Sequence, residues 1–115
     1  MACVNEFGII DNFDYQKVYN DYNPQKYNCV SVDDDIINSL INDLSIMKTY
    51  FHSFNRPEYG LDHWGVTIIP PESLPLFYEV IVSSRYFEKS VELNDLATLI
   101  IKAIEEKKYM IYYGV

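Results

Sequence analysis

What this 115-residue chain has little of narrows its chemistry first. Two cysteines, Cys3 and Cys29, are too few for the disulfide framework of a small secreted domain. The four glycines, at 8, 60, 65 and 114, are scattered, and none belongs to a glycine-rich loop that could cradle a phosphate ahead of a helix. There are two histidines, His52 and His63. Neither they nor the cysteines stand at the close spacing that makes a metal site specific, so no metal and no cofactor is expected. Nine bases against 17 acids leave a formal charge of −8 and no clustered basic surface, which argues against direct binding of nucleic acid. No apolar run is long enough to span a bilayer. The opening Met1-Ala2-Cys3-Val4-Asn5-Glu6 lacks the basic start and long apolar stretch of a secretory signal. A cytoplasmic protein with no membrane partner is the expectation.

What the chain has in abundance is tyrosine, eleven residues of it, beside its carboxylates. Tyrosine offers a large rigid contact area with a polar tip and few rotamers to lose, and it is enriched where proteins grip other proteins. Excess carboxylate sets up a long-range field that draws in basic partners. Neither performs chemistry. The charge is also uneven: residues 1–47 hold eight acids and two lysines, Lys17 and Lys26, for a net −6, whereas residues 48–115 hold nine acids and seven bases. An acidic face follows from that skew, with solubility alone as the plainer explanation of the acids.

The hydrophobic pattern predicts one globular domain over 1–115, of α+β class, in which a small sheet of about three to four strands packs against three main helices. Residues 1–25 are the least regular, with Phe7, Ile9, Ile10 and Phe13 able to form a short strand or turn on the core. Tyr15, Tyr19 and Tyr22, spaced four and then three apart, share one side if their stretch is helical, and Asn23-Pro24 ends it. Residues 26–32 read as a strand. Asp33-Asp34-Asp35 suits a helix start, where carboxylates accept bonds from free N–H groups. Beyond it Ile36, Ile37, Leu40, Ile41, Leu44, Met47 and Phe51 form a core-facing stripe at helical period, predicting one long helix. A loop over 55–60, a buried strand over 64–69, a helix from Ser73 through Ile81, a third helix over 91–107 and a closing strand over 109–113 complete the order. If that last strand is central, its neighbours bury Ile111.

Candidate functional residues follow from the overlap of aromatics and acids in the first third. Asp11, Asp14, Tyr15, Tyr19, Asp21 and Tyr22, together with Asp33, Asp34 and Asp35, are the expected partner-binding set. No catalytic residue is assigned. Cys29 reads as a small core residue, since no nucleophile signature surrounds it. The competing reading is a small enzyme or ligand-binding domain with a pocket near His52, Asp62, His63 and Trp64, in which Asp62-His63 is the tight acid–base pair. A third reading, an adaptor subunit of a larger assembly, would show itself by what co-purifies.

Several segments carry a resemblance. Lys48-Thr49-Tyr50-Phe51-His52-Ser53 is followed by Tyr59-Gly60-Leu61-Asp62-His63-Trp64-Gly65-Val66-Thr67-Ile68-Ile69-Pro70-Pro71-Glu72-Ser73-Leu74. Lys102-Ala103-Ile104-Glu105-Glu106-Lys107-Lys108-Tyr109 then leads into a Tyr-Tyr-Gly ending. With these segments the chain from about Lys26 to Val115 resembles small bacterial immunity proteins of polymorphic-toxin systems. The resemblance implies a non-enzymatic inhibitor that binds one cognate toxin domain, often a nuclease. It assigns no individual residue.

Overall fold

The computed structural model describes residues 4–114, so Cys3 lies outside the described residues. Among those residues six strands form one antiparallel sheet: β1 (Val4–Ile10), β2 (Val30–Asp33), β3 (Lys48–Phe51), β4 (Pro57–Tyr59), β5 (Val66–Ile69) and β6 (Tyr109–Gly114). Their order across the sheet is β2-β1-β6-β5-β3-β4. Three helices, α1 (Asp34–Leu44), α2 (Leu74–Val82) and α3 (Val91–Glu106), complete the α+β domain. The sheet has six strands where the hydrophobic pattern predicts about three to four. The surplus comes from Lys48–Phe51 and Pro57–Tyr59, a short hairpin whose first strand also borders β5.

That hairpin corrects the long helix. The helix begins where expected, with the Asp33 carboxylate accepting from the Asp35 N–H at 2.8 Å. It ends at Leu44, and the Ser45 hydroxyl donates to the Asn42 carbonyl at 2.6 Å in the closing turn. Thr49, Tyr50 and Phe51 are strand formers, and pairing with β4 and β5 gives their backbone groups partners that a helix could not place in this sheet. Met47 is buried, but through the approach to β3 rather than as part of a helical stripe. A short apolar run has no period of its own to separate helix from strand.

Both faces of the sheet are covered, by different means. On one face Phe7, Ile9, Ile69, Met110 and Tyr112 meet the buried stripes of the helices: Ile37, Leu40 and Leu44 of α1, Phe77 and Ile81 of α2, and Leu93, Leu96 and Ile100 of α3. Full burial of each such side chain contributes roughly 1.5–3 kcal/mol before entropy is counted, so this is the main core. On the other face Ile10, Val66, Ile68, Ile111 and Tyr113 are covered by residues 11–29, which contain neither helix nor strand. Tyr19, Tyr27 and Phe13 provide that cover.

The helix that would put Tyr15, Tyr19 and Tyr22 on one side does not form, because the side chains there find local partners instead. The Asp14 carboxylate accepts from the Gln16 N–H at 2.9 Å, a turn that competes with helical hydrogen bonding. Residues 26–28 likewise belong to a turn, in which the Cys29 N–H donates to the Pro24 carbonyl at 3.1 Å and Asn28 adopts a left-handed φ of 51°. The strand starts only at Val30.

Two structural details hold the covering segment down. The Tyr19 N–H donates to the His52 carbonyl at 2.6 Å. Gly8 of β1 lies so close beneath residues 27–29 that a Cβ there would sit 2.7 Å from the Tyr27 Cβ and 2.9 Å from the Cys29 Sγ. The last strand is central, between β1 and β5, and Ile111 is buried. Gly8→Ala is therefore expected to lift the 27–29 turn and to cost about 1–3 kcal/mol, the range for overpacking. Chemical denaturation would show it as a lower midpoint with an unchanged slope.

Candidate functional site

The residues singled out by sequence fall into two groups over opposite ends of β6. Tyr15 packs edge-on against Phe54 and Tyr109, with ring centroids 4.8 and 5.9 Å away, and so lies over the start of β6. Tyr22 meets Tyr113 edge-on at 5.2 Å and lies over its end. Tyr109 and Tyr113 are four residues apart, roughly 13 Å along an extended strand. A helical ridge presenting three tyrosines on one side does not exist.

At the first end the acids and aromatics are largely satisfied within the chain. Asp11 pairs with Lys108 at 2.8 Å, and that ammonium holds the Asp11 carboxyl below its usual range. The Asp14 carboxylate is committed to its turn. Phe13 stacks on Tyr109 at 4.0 Å and meets Tyr15 at 4.9 Å. Tyr19 is 5% exposed, stacks on Phe13 at 5.5 Å and accepts the Asp14 N–H on its hydroxyl at 2.9 Å. Tyr19 is thus a core residue, which corrects its place in the expected contact set.

Between this end and the turn at residue 27 lies a cleft of about 420 Å³, lined by Ile10, Asp14, Lys17, Tyr19, Lys26 and Tyr27 among others. It gathers both lysines of residues 1–47. The Lys17 ammonium is 4.9 Å from the centre of the Tyr19 ring, and that of Lys26 is 5.5 Å from the centre of the Tyr27 ring. Burial, then the neighbouring Lys26, pushes the Lys17 ammonium below its ordinary range. The face is acidic overall but carries this basic patch.

The second end gathers the start of β1, the end of β2, the end of β6 and the start of β5. Here the Tyr22 hydroxyl donates to the Glu6 carboxylate, which pushes the phenol up to about 12, with burial as the second cause. On the helix side of the same end a polar chain runs into the structure. The Tyr112 hydroxyl donates to the Asn5 side-chain oxygen, and the Asn5 amide donates to the Asp34 carboxylate at 2.9 Å. Asp34 in turn lies 3.6 Å from His63 Nε2. Asn38 adds a second donor to Asp34 at 3.1 Å. Asp33 and Asp35, the exposed members of the triplet, flank this half-buried residue.

The histidines do not assemble a catalytic pair. Asp62 contacts His52 at 3.5 Å, whereas its sequence neighbour His63 turns to Asp34. His52 is not on a helix but follows β3, with a left-handed φ of 67°. Trp64, between these groups, is 76% exposed, and its ring meets His63 edge-on at 5.1 Å. Cys29 is half-buried, and burial followed by the Glu6 charge pushes its thiol up to about 12, so it is a thiol rather than a thiolate at neutral pH. Among the described residues no three His, Cys, Asp or Glu side chains are gathered as a metal site would require. No helix of the described residues is long and apolar enough to cross a membrane.

Sequence reasoning treated Trp64 as part of a pocket, and the structure turns it outward. A lone tryptophan between Asp62-His63 and a glycine carries the signal of an exposed turn, but which way its ring points depends on pairings far along the chain. Comparison with known proteins yields no match: no family model fits the chain, and neither a curated protein nor a solved structure matches it.

Two measurements follow from the shifted groups. The Tyr22 phenol is raised in the folded protein above its ordinary 10.0, so its bond to Glu6 stabilises fully below about pH 10 and is lost as pH rises towards 12. The stability difference between the native protein and Tyr22→Phe, followed by denaturation, is expected to shrink across that interval. In a Cys3→Ser background, alkylation of Cys29 at pH 8 is expected to be far slower in the folded than in the unfolded protein. Equal rates would place that thiol in open solvent.

Proposed function

We propose that this protein binds and neutralises a cognate bacterial toxin domain, with a basic nuclease as the class its charge suits best. The observation that carries this reading is the segment 11–29. It lacks regular structure, yet buried Tyr19 and Tyr27 pin it to the sheet while Tyr15, Val18 and Tyr22 stay more than half exposed beside Asp14 and Asp21. A fixed backbone that presents aromatic rings among carboxylates loses little freedom on binding and complements a positive surface. The split histidine pairs and the un-ionised Cys29 offer no comparable support for an enzyme. The likeness of residues from about 26 onward to small immunity proteins points the same way.

A nuclease owes its grip on phosphate to basic side chains, and an inhibitor that presents fixed carboxylates competes for them directly. Asp33 and Asp35 at the start of α1 extend the acidic surface beyond the covering segment. Steering by this field requires an association rate that depends strongly on salt.

The test uses a catalytically inactivated toxin domain encoded by the adjoining reading frame. Its association rate with this protein is expected to fall at least tenfold between about 0.01 M and 1 M salt, where the screening length shrinks from roughly 30 to 3 Å. The double variant Tyr15→Ala/Tyr22→Ala is expected to weaken the equilibrium by about tenfold, or roughly 1.4 kcal/mol, with little change in thermal midpoint. Tyr19→Ala should instead lower the midpoint. A domain that does not bind, or binds at a rate indifferent to salt, would sink the reading.

A further inference from the structure

We propose that Trp64 is the anchor of the partner interface, and that it docks against an arginine- or lysine-rich surface at the sheet end it shares with Tyr22, Asp33 and Asp35. The proposal rests on the binding function inferred above and names the part of the surface that does the gripping.

Trp64 is the chain's single tryptophan and the most exposed of its large hydrophobic side chains among the described residues. An exposed indole on a loose loop would mean little. This one stands on a turn tied through Asp62, Trp64 and Gly65. The Asp62 N–H donates to the buried Thr67 hydroxyl at 2.7 Å, and the Trp64 N–H donates to the Asp62 carboxylate at 3.2 Å. The Gly65 N–H donates to the Asp62 carbonyl at 3.1 Å, and the Gly114 N–H donates to the Gly65 carbonyl at 2.9 Å. Contacts on both sides brace the turn, His52 with Asp62 and His63 with Asp34. Gly114 allows the end of β6 to pass directly under the turn, since a Cβ there would collide with the His63 backbone.

The ring is therefore held out in water by a rigid support, the arrangement in which an aromatic anchor binds at low entropic cost. Its surroundings select the partner's chemistry. His63, edge-on to the indole, contacts Asp34, and the exposed carboxylates of Asp33 and Asp35 adjoin that residue. An arginine or lysine can stack on the indole face while a carboxylate receives its N–H groups. At the opposite end Asp11 is paired with Lys108, and Lys17 and Lys26 line the cleft, so that end offers a cationic partner less negative charge.

Because there is one tryptophan, its fluorescence reports the site without any mutation. The probe is the inactivated toxin domain of the adjoining reading frame, with its own tryptophans replaced by phenylalanine. The expected result is a blue shift and altered yield of Trp64 emission on mixing, developing more slowly at high salt in step with the slower association. Trp64→Ala is expected to weaken binding by roughly thirtyfold or more, the hot-spot range, and Trp64→Phe by less. If the domain binds while Trp64 emission is unmoved and Trp64→Ala binds normally, the anchor lies elsewhere and the binding function still stands. If the wild-type protein fails to bind, both fall together. A blue shift on concentrating this protein alone would make the surface a contact between copies of the chain and overturn the basic partner.

Discussion

The pairing of β1 with β6 at the centre of the sheet is the constraint on which the rest of this structure depends. It joins the first and last described segments of the chain over six residue pairs, from Asn5 with Gly114 to Ile10 with Tyr109. Until β6 arrives, β1 and β5 are each paired on one side only, and the two cores have no common floor. Phe7 and Tyr112, opposite each other in this ladder with rings 4.8 Å apart, look towards the helices. Glu6 and Tyr113, the adjacent pair, look the other way and receive Tyr22. The alternation of one ladder thus distributes the whole hydrophobic content of the domain between two faces. Closure of so long a loop before the central contacts are gained also makes this a slow-folding topology relative to a helical bundle.

The two faces are covered according to what each cover can do. Helices carry a continuous stripe of aliphatic residues, so α1, α2 and α3 cover their side with isoleucine and leucine. A segment without regular structure has no such stripe and must place a few large rings at separated points. Phe13, Tyr19 and Tyr27 do this, and the Tyr19 hydroxyl accepts the Asp14 N–H, a polar atom that an irregular segment would otherwise leave bare. Much of the chain's tyrosine content is explained by that cover and by β6 itself. The exposed remainder, Tyr15, Tyr22 and Tyr59, is smaller than the composition suggests, and Trp64 joins it from outside the tyrosine count.

Legibility in the sequence followed the range of the interactions. The starts of α1 and α3 and the last strand are visible because capping and periodicity are local: Asp33 caps its own helix, and Ser90 caps the third by accepting the Leu93 N–H at 3.1 Å. The hairpin of β3 and β4 is hidden because Met47 and Phe51 continue a helical stripe by coincidence, and only pairing with Val66–Ile69 decides between the two periods. Tyr19 cannot be separated from Tyr15 and Tyr22 by spacing, since its burial depends on a hydrogen bond to His52, 33 residues away in sequence (52 − 19). The acidic character of the first third was legible, but not its partition. Lys108, remote in sequence, neutralises Asp11, while Asp33 and Asp35 remain exposed.

That partition bears on how an acidic protein of this size can be selective. A uniform coat of carboxylate would attract many basic surfaces alike and discriminate among none. Here the charge is uneven: an ion pair and a lysine-lined cleft blunt it at one end of the sheet, whereas at the other the exposed indole meets His63, which contacts Asp34. Electrostatic attraction sets which surfaces approach, whereas a rigid ring admits only those with a matching site for it. The polar chain from Tyr112 through Asn5 and Asp34 to His63 ties that ring's support to the central ladder. The same closure that completes the core therefore also fixes the position of the indole, and the recognition proposed for this end rests on the folded sheet rather than on any contiguous stretch of sequence.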